Sequence, residues 1–129
     1  MKKTKIAFVV SVLLLLTVPA VFLVIYNQPG FAGEQIKKTD SYTLDIQRMN
    51  GADSHTLNLK AGDVLQVEFE TEKGSLHMEI TAPGGTVIYA GNGKETSEFE
   101  INVSETGAYT VTAEARHAKG RIHIQVRGK

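Results

Sequence analysis

The chain contains no cysteine, no tryptophan and only three prolines in 129 residues. Without cysteine there is no disulfide framework, no thiolate metal site, no catalytic thiol and no lipidated-cysteine anchor. Small eukaryotic secreted domains more often carry disulfides, so an exported chain of this composition leans toward a bacterial cell surface. Without tryptophan, the aromatic platform that β-sandwiches commonly offer to sugars lacks its largest residue. An excess of one charge sign is also missing, with 14 Lys+Arg against 14 Asp+Glu. Three of the basic residues (Lys2, Lys3, Lys5) lie at the extreme N-terminus and leave 11 against 14 acidic residues beyond it. That mildly acidic balance provides no clustered basic surface to displace counterions from a phosphate backbone, so no nucleic-acid partner is expected.

What the chain does have is one long uncharged run. Residues 6–26 hold no charged side chain and include Leu13 to Leu16, Phe22, Leu23, Val24 and Ile25. As a helix they would span roughly 31 Å, the hydrocarbon thickness of a bilayer. The basic flank at residues 1–5 should stay cytoplasmic and the remainder should be exported, giving a single-pass, N-in and C-out arrangement. Two readings stay open. The run is an uncleaved signal anchor, or it is a signal peptide removed near Ala32, where Gly30-Phe31-Ala32 offers small residues at the first and third positions. Its length favours the anchor, because signal-peptide cores span about 7–15 residues. Pro19 is tolerable inside a membrane helix.

Residues 27–40 turn polar and Gly/Pro-containing, without a sustained period, and read as a linker. From residue 41 to 129 apolar and polar positions alternate, as in strands with one buried face. Tyr42, Leu44 and Ile46 form one such set; Leu57 and Leu59, a second; Leu65, Val67 and Phe69, a third; Leu76, Met78 and Ile80, a fourth. Residues 86–90 follow, then Phe99, Ile101 and Val103, then Tyr109, Val111 and Ala113, and finally Ile122, Ile124 and Val126. Glu72-Lys73-Gly74 and Lys119-Gly120 read as turns between strands. Ala82-Pro83-Gly84-Gly85 predicts a type II turn, and Asn92-Gly93 a tight hairpin. The expected fold is therefore all-β: an antiparallel β-sandwich of about eight strands, jelly-roll-like, preceded by one transmembrane helix. A single open sheet would leave the inward set wet, although burying each large side chain contributes roughly 1.5–3 kcal/mol.

Several phrases of this region resemble known domains. Leu59-Lys60-Ala61-Gly62-Asp63 before a strand, Gly74 to Ile80, Ala82-Pro83-Gly84-Gly85, and Glu105-Thr106-Gly107-Ala108-Tyr109 are similar to the repeating patterns of GOLD-domain-like proteins and of bacterial pre-peptidase C-terminal domains. The resemblance implies a sandwich with an accessory or binding role and no catalytic residues. GOLD-domain receptors carry their membrane helix after the sandwich and normally a disulfide, and neither feature matches here.

Sites of chemistry are sparse. Of four histidines (His55, His77, His117, His123), His77 lies two positions from Glu79 on one strand face. With His123 from an adjacent strand they make the one candidate metal set, although zinc wants three or four convergent ligands and a solvated face explains them more simply. Glu68, Glu70 and Glu72 share a polar face, as do Glu98 and Glu100, without the loop that a calcium site requires. Gly91 to Thr96 lacks the first glycine and the Ser/Thr of a phosphate loop, and no Gly-x-Ser-x-Gly elbow occurs. Tyr89 is the one tyrosine whose neighbours are apolar on both faces. The expected function is a non-catalytic, membrane-anchored extracytoplasmic module, acting on a protein partner through loop ends or a sheet edge, with no cofactor. A small-ligand or metal-binding ectodomain is the alternative and a hydrolase the remote one.

Overall fold

A computed structural model describes residues 30–95 and 97–128. The transmembrane reading of residues 6–26 lies outside them. Among the described residues no helix is long and apolar enough to cross a membrane. They form six antiparallel strands: β1 (Gly30–Lys38), β2 (Ser41–Leu59), β3 (Val64–Thr81), β4 (Val87–Gly91), β5 (Glu98–Asn102) and β6 (Gly107–Val126). The sheet order is β1-β2-β6-β3-β4, and β5 also pairs with β3.

Three apparent breaks are bulges, so the eight expected strands join into five, and β1 makes the sixth. The ladder continues through Gln47 to Asn50 in β2, through Glu72 to Gly74 in β3, and through Arg116 to Lys119 in β6, with register shifts at each. Because Met49 faces Ala118 and Lys73 faces Lys119, the three irregularities share one level across the sheet. A bulge bends its strand and steepens the local twist, so three in a row make a crease. Gly74 sits in it at φ +68°, and a Cβ there would come 2.2 Å from the His117 carbonyl oxygen. The facing His117 itself adopts φ +46°.

The crease folds the sheet onto itself. Fully extended, the 19 residues of β2 would span roughly 63 Å. Instead the Asn58 N–H donates to the Thr39 carbonyl at 2.8 Å, so the two ends of β2 lie side by side. One layer holds β1, the start of β2, the end of β6, the start of β3, and β5. The other holds the end of β2, the start of β6, the end of β3, and β4. Between them the alternating sets from all three long strands are buried, from Tyr42, Leu44 and Leu57 to Phe69, Met78, Ile80, Val111 and Ile122, each at 0 % exposure. This is the all-β sandwich that the alternation implied, built from a single creased sheet.

Three local expectations change. Residues 30–38, read within the linker, form β1, whose nine residues are all exposed and so leave no alternating signature. The Ala82 to Gly85 turn closes through Gly85 N–H to Ala82 C=O at 2.9 Å, but the positive φ falls on Gly85 rather than on Gly84, so it is not type II. Asn92-Gly93 does not close a hairpin. β4 pairs with the end of β3 and β5 with its start, and the segment between them crosses at the crease. It is held there by the Thr71 N–H on the Gly93 carbonyl at 3.0 Å and the Thr71 hydroxyl on the Asn92 carbonyl at 2.6 Å.

Candidate functional site

The wider layer turns a polar face to solvent. Period-two geometry sends Tyr42, Leu44, Val67, Phe69, Ile122 and Ile124 inward, which obliges Thr43, Asp45, Glu68, Arg121, His123 and Gln125 outward. Cross-strand register sets them in rows. Thr43, His123, Glu68 and Glu98 make one, and Ser41, Gln125, Gln66 and Glu100 the next. These rows line an open groove of about 640 Å³, with Ile36 and Lys38 of β1 along one side and β5 along the other.

Several charges in and beside the groove are paired across the outer face. The His123 ring reaches Asp45 Oδ1 from Nε2 at 2.7 Å and lies 3.7 Å from Glu68 Oε2 through Nδ1. Arg121 spans Glu68 at 2.6 Å and Glu70 at 3.3 Å, and Arg127 pairs with Glu100 at 3.0 Å. All are partly or largely solvated, so each pair contributes about 0–1 kcal/mol, and together they fix side-chain positions more than stability. Glu98 faces Glu68 directly across the ladder, a like-charge pair that costs stability.

The candidate metal set is divided by the crease. His77 Nε2 lies 3.1 Å from Glu79 Oε1, as their spacing implied. However, His77 faces Glu114 in the narrower layer, whereas His123 faces Glu68 in the wider one. Asp45 and Glu68 bracket opposite nitrogens of the His123 ring and do not converge on a point. Among the described residues no group of three or more His, Asp or Glu side chains is placed to hold a metal ion.

A second cluster, invisible in the sequence pattern, closes the seam between layers. The hydroxyl of buried Tyr42 donates to Asp53 Oδ2, and Lys37 Nζ donates to Asp53 Oδ1 at 3.0 Å and to the Ser54 carbonyl at 3.1 Å. His55 Nε2 lies 2.5 Å from the Lys38 carbonyl oxygen, and its ring centroid is 5.4 Å from that of Tyr42. Burial, the Asp53 hydrogen bond and the Asp53 charge raise the Tyr42 pKa far above its ordinary value. Burial also pushes Asp53 up, but hydrogen bonds from Tyr42 and Lys37, the Lys37 charge and the Ser54 N–H outweigh it and hold the carboxyl below its usual range. Neither group lines the groove. Tyr89 is no open platform: its ring packs 4.7 Å from Phe99, and burial raises its pKa.

No family model matches this chain, and no curated protein matches it. The resemblance to GOLD and pre-peptidase domains therefore stands on pattern alone. Several solved structures are similar to it in part, among them the following three. PliG of Aeromonas hydrophila, a periplasmic inhibitor of g-type lysozyme, is 17 % identical over 73 % of this chain and 92 % of its own, with a TM-score of 0.48. The carbohydrate-binding module TmCBM61, solved with β-1,4-galactotriose, is 19 % identical over 70 % and 64 %, with a TM-score of 0.37. A cupin domain of Bordetella pertussis Tohama I is 16 % identical over 78 % and 97 %, with a TM-score of 0.35. Likenesses this loose carry no function across.

Of the groove, the alternating polar positions were legible as an outward face, but their convergence was not. Ile36 gave no signal at all, since it lies in a strand with no buried face.

Proposed function

We propose that the chain is a non-catalytic binding module, tethered through residues 6–26 to the outer side of a cell membrane, that engages a protein partner through the groove on its wider layer. The observation that carries this reading is the groove's composition. Its lining mixes amide, hydroxyl, carboxylate, ammonium and imidazole groups with the apolar side chain of Ile36 at its β1 side, a mixed polar and apolar surface of the kind reversible protein interfaces use. Its ionisable groups are partly or largely solvated, and Lys38 and Glu98 form no ion pair among the described residues, which leaves them available for recognition. The strongly perturbed Tyr42 and its partner Asp53, whose carboxyl is held below its usual range, sit at the seam, where they hold the layers together. The sequence supports the address: a lipid-length run with a basic N-terminal flank directs the chain beyond it out of the cytoplasm.

The test is recovery of partners from native membranes with the full chain, comparing the natural sequence with Gln125→Arg. Gln125 is exposed in the groove, so arginine there obstructs it without touching the core. A partner captured by the natural chain and lost with the variant supports the reading. Equal capture by both, or none by either, contradicts it.

A further inference from the structure

The open edge of β1 is complementary to itself. We infer that two copies of this chain pair edge to edge through residues 34–38 of β1, antiparallel, about a two-fold axis at Ile36. This takes the binding module proposed above and names a second copy as the partner of its sheet edge.

Free main-chain groups on β1 set the register. β1 ends the sheet order, and among the described residues nothing pairs with its other side. Thr39 and Asp40 form the two-residue turn that closes β1 onto β2 at Lys38 and Ser41. Antiparallel ladders alternate, so the amides of Lys38, Ile36 and Glu34 point to β2 while those of Lys37 and Gln35 point to the open edge. A second strand must therefore bond at residues 35 and 37. A two-fold axis at Ile36 meets that condition, setting Gln35 of each copy against Lys37 of the other and Ile36 against Ile36.

The side chains select the same register. Ile36, Glu34 and Lys38 lie on the outer face, beside Thr43, Asp45 and Ser41. Pairing about Ile36 places Glu34 of each copy opposite Lys38 of the other, on either side of an apolar contact between the two Ile36 side chains, each 37 % exposed in the single chain. No hydrogen bond or ion pair is made by the Glu34 or Lys38 side chains within the described chain, where Glu34 instead faces the like-charged Asp45. Lys38 of a second copy relieves that opposition. The bulge between Ala32 and Gly33 interrupts β1 at one end and the Thr39 turn ends it at the other, which confines pairing to five residues and keeps it from propagating into an open array. Pairing here also joins the two grooves, since Ile36 and Lys38 line each.

The absence of native cysteine allows a direct test with the full chain, in membrane fragments open on both sides so that the result does not depend on which face the domain occupies. Facing residues at a non-hydrogen-bonded position have Cα atoms about 4.5 Å apart, inside the roughly 4.4–6.8 Å range of a disulfide. Ile36→Cys should convert most of the chain to a covalent dimer under mild oxidation. Glu34→Cys alone should not, because its two copies would stand roughly 13 Å apart along the strand, whereas Glu34→Cys mixed with Lys38→Cys should cross-link. In the Ile36→Cys background, Glu34→Lys should reduce the dimer several-fold, although it improves the contact with Asp45 within the chain, and Glu34→Lys with Lys38→Glu should restore it. Absence of the Ile36→Cys dimer together with absence of the mixed cross-link overturns the inference, as does equal cross-linking of Glu34→Cys alone. None of these outcomes depends on the groove, whose reading stands or falls on partner capture.

Discussion

Thr39, just before β2, and Asn58, its penultimate residue, are joined by a 2.8 Å main-chain hydrogen bond although nearly the whole strand lies between them. That contact exists because the strand doubles back at the crease. The crease in turn decides which polar side chains share a face: it puts His123 with Asp45 and Glu68 and leaves His77 with Glu79 on the other layer.

The crease depends on Gly74. A side chain there must adopt a left-handed φ and meet the His117 carbonyl at 2.2 Å. Gly74→Ala should destabilise the fold by about 1–3 kcal/mol, read as a lower denaturant midpoint. Gly30→Ala, with nothing within 4 Å of its added carbon, should change the midpoint little.

Acid should loosen the seam. Asp53 has a folded-state pKa below its unfolded value, so its contribution is full above about pH 4, the ordinary aspartate range, and is lost as pH falls through the depressed value. Asp53→Asn should cost about 1–3 kcal/mol near neutral pH and flatten the acid limb of the stability–pH profile. Equal acid limbs in both proteins would place the acid sensitivity elsewhere.

Alkali acts on the same contact with the opposite sign. Tyr42 has a raised pKa, so its contribution is complete below about pH 10 and declines above it, where the unfolded chain ionises and the folded one does not. Tyr42→Phe should lower stability at neutral pH and remove part of that alkaline decline, with stability read by denaturant titration at several pH values.

Tyr109 anchors the start of β6. Its ring is buried and its hydroxyl donates to the Glu105 carbonyl at 2.6 Å, bracing the turn before the strand. Tyr109→Phe should cost about 0.5–1.5 kcal/mol, whereas Phe69→Ala, which empties a fully buried ring site, should cost about 3–5 kcal/mol. Thermal unfolding of the two variants separates the effects.

Much of this architecture was legible as alternation. Leu65, Val67 and Phe69, or Ile122, Ile124 and Val126, announce their inward face because a strand with one wet side permits no other spacing. What misled was punctuation. Lys73-Gly74 and Lys119-Gly120 look like turns, since glycine beside charge usually ends a strand, yet here the glycines admit a close backbone approach inside a continuous ladder. β1 escaped because a strand exposed on both faces has no periodicity to display. The Tyr42–Asp53 contact escaped because it joins residues on opposite arms of a fold in one strand, a proximity that no local pattern encodes.

If the groove is the working surface, reagent access measures it most directly. With no native cysteine, Gln125→Cys reports on the groove and Thr56→Cys on an exposed position of the opposite layer. Both should react with a maleimide at similar rates in the purified full chain. In native membranes Gln125→Cys should react several-fold more slowly while Thr56→Cys is unchanged. Equal labelling of Gln125→Cys in the two settings would contradict an occupied groove.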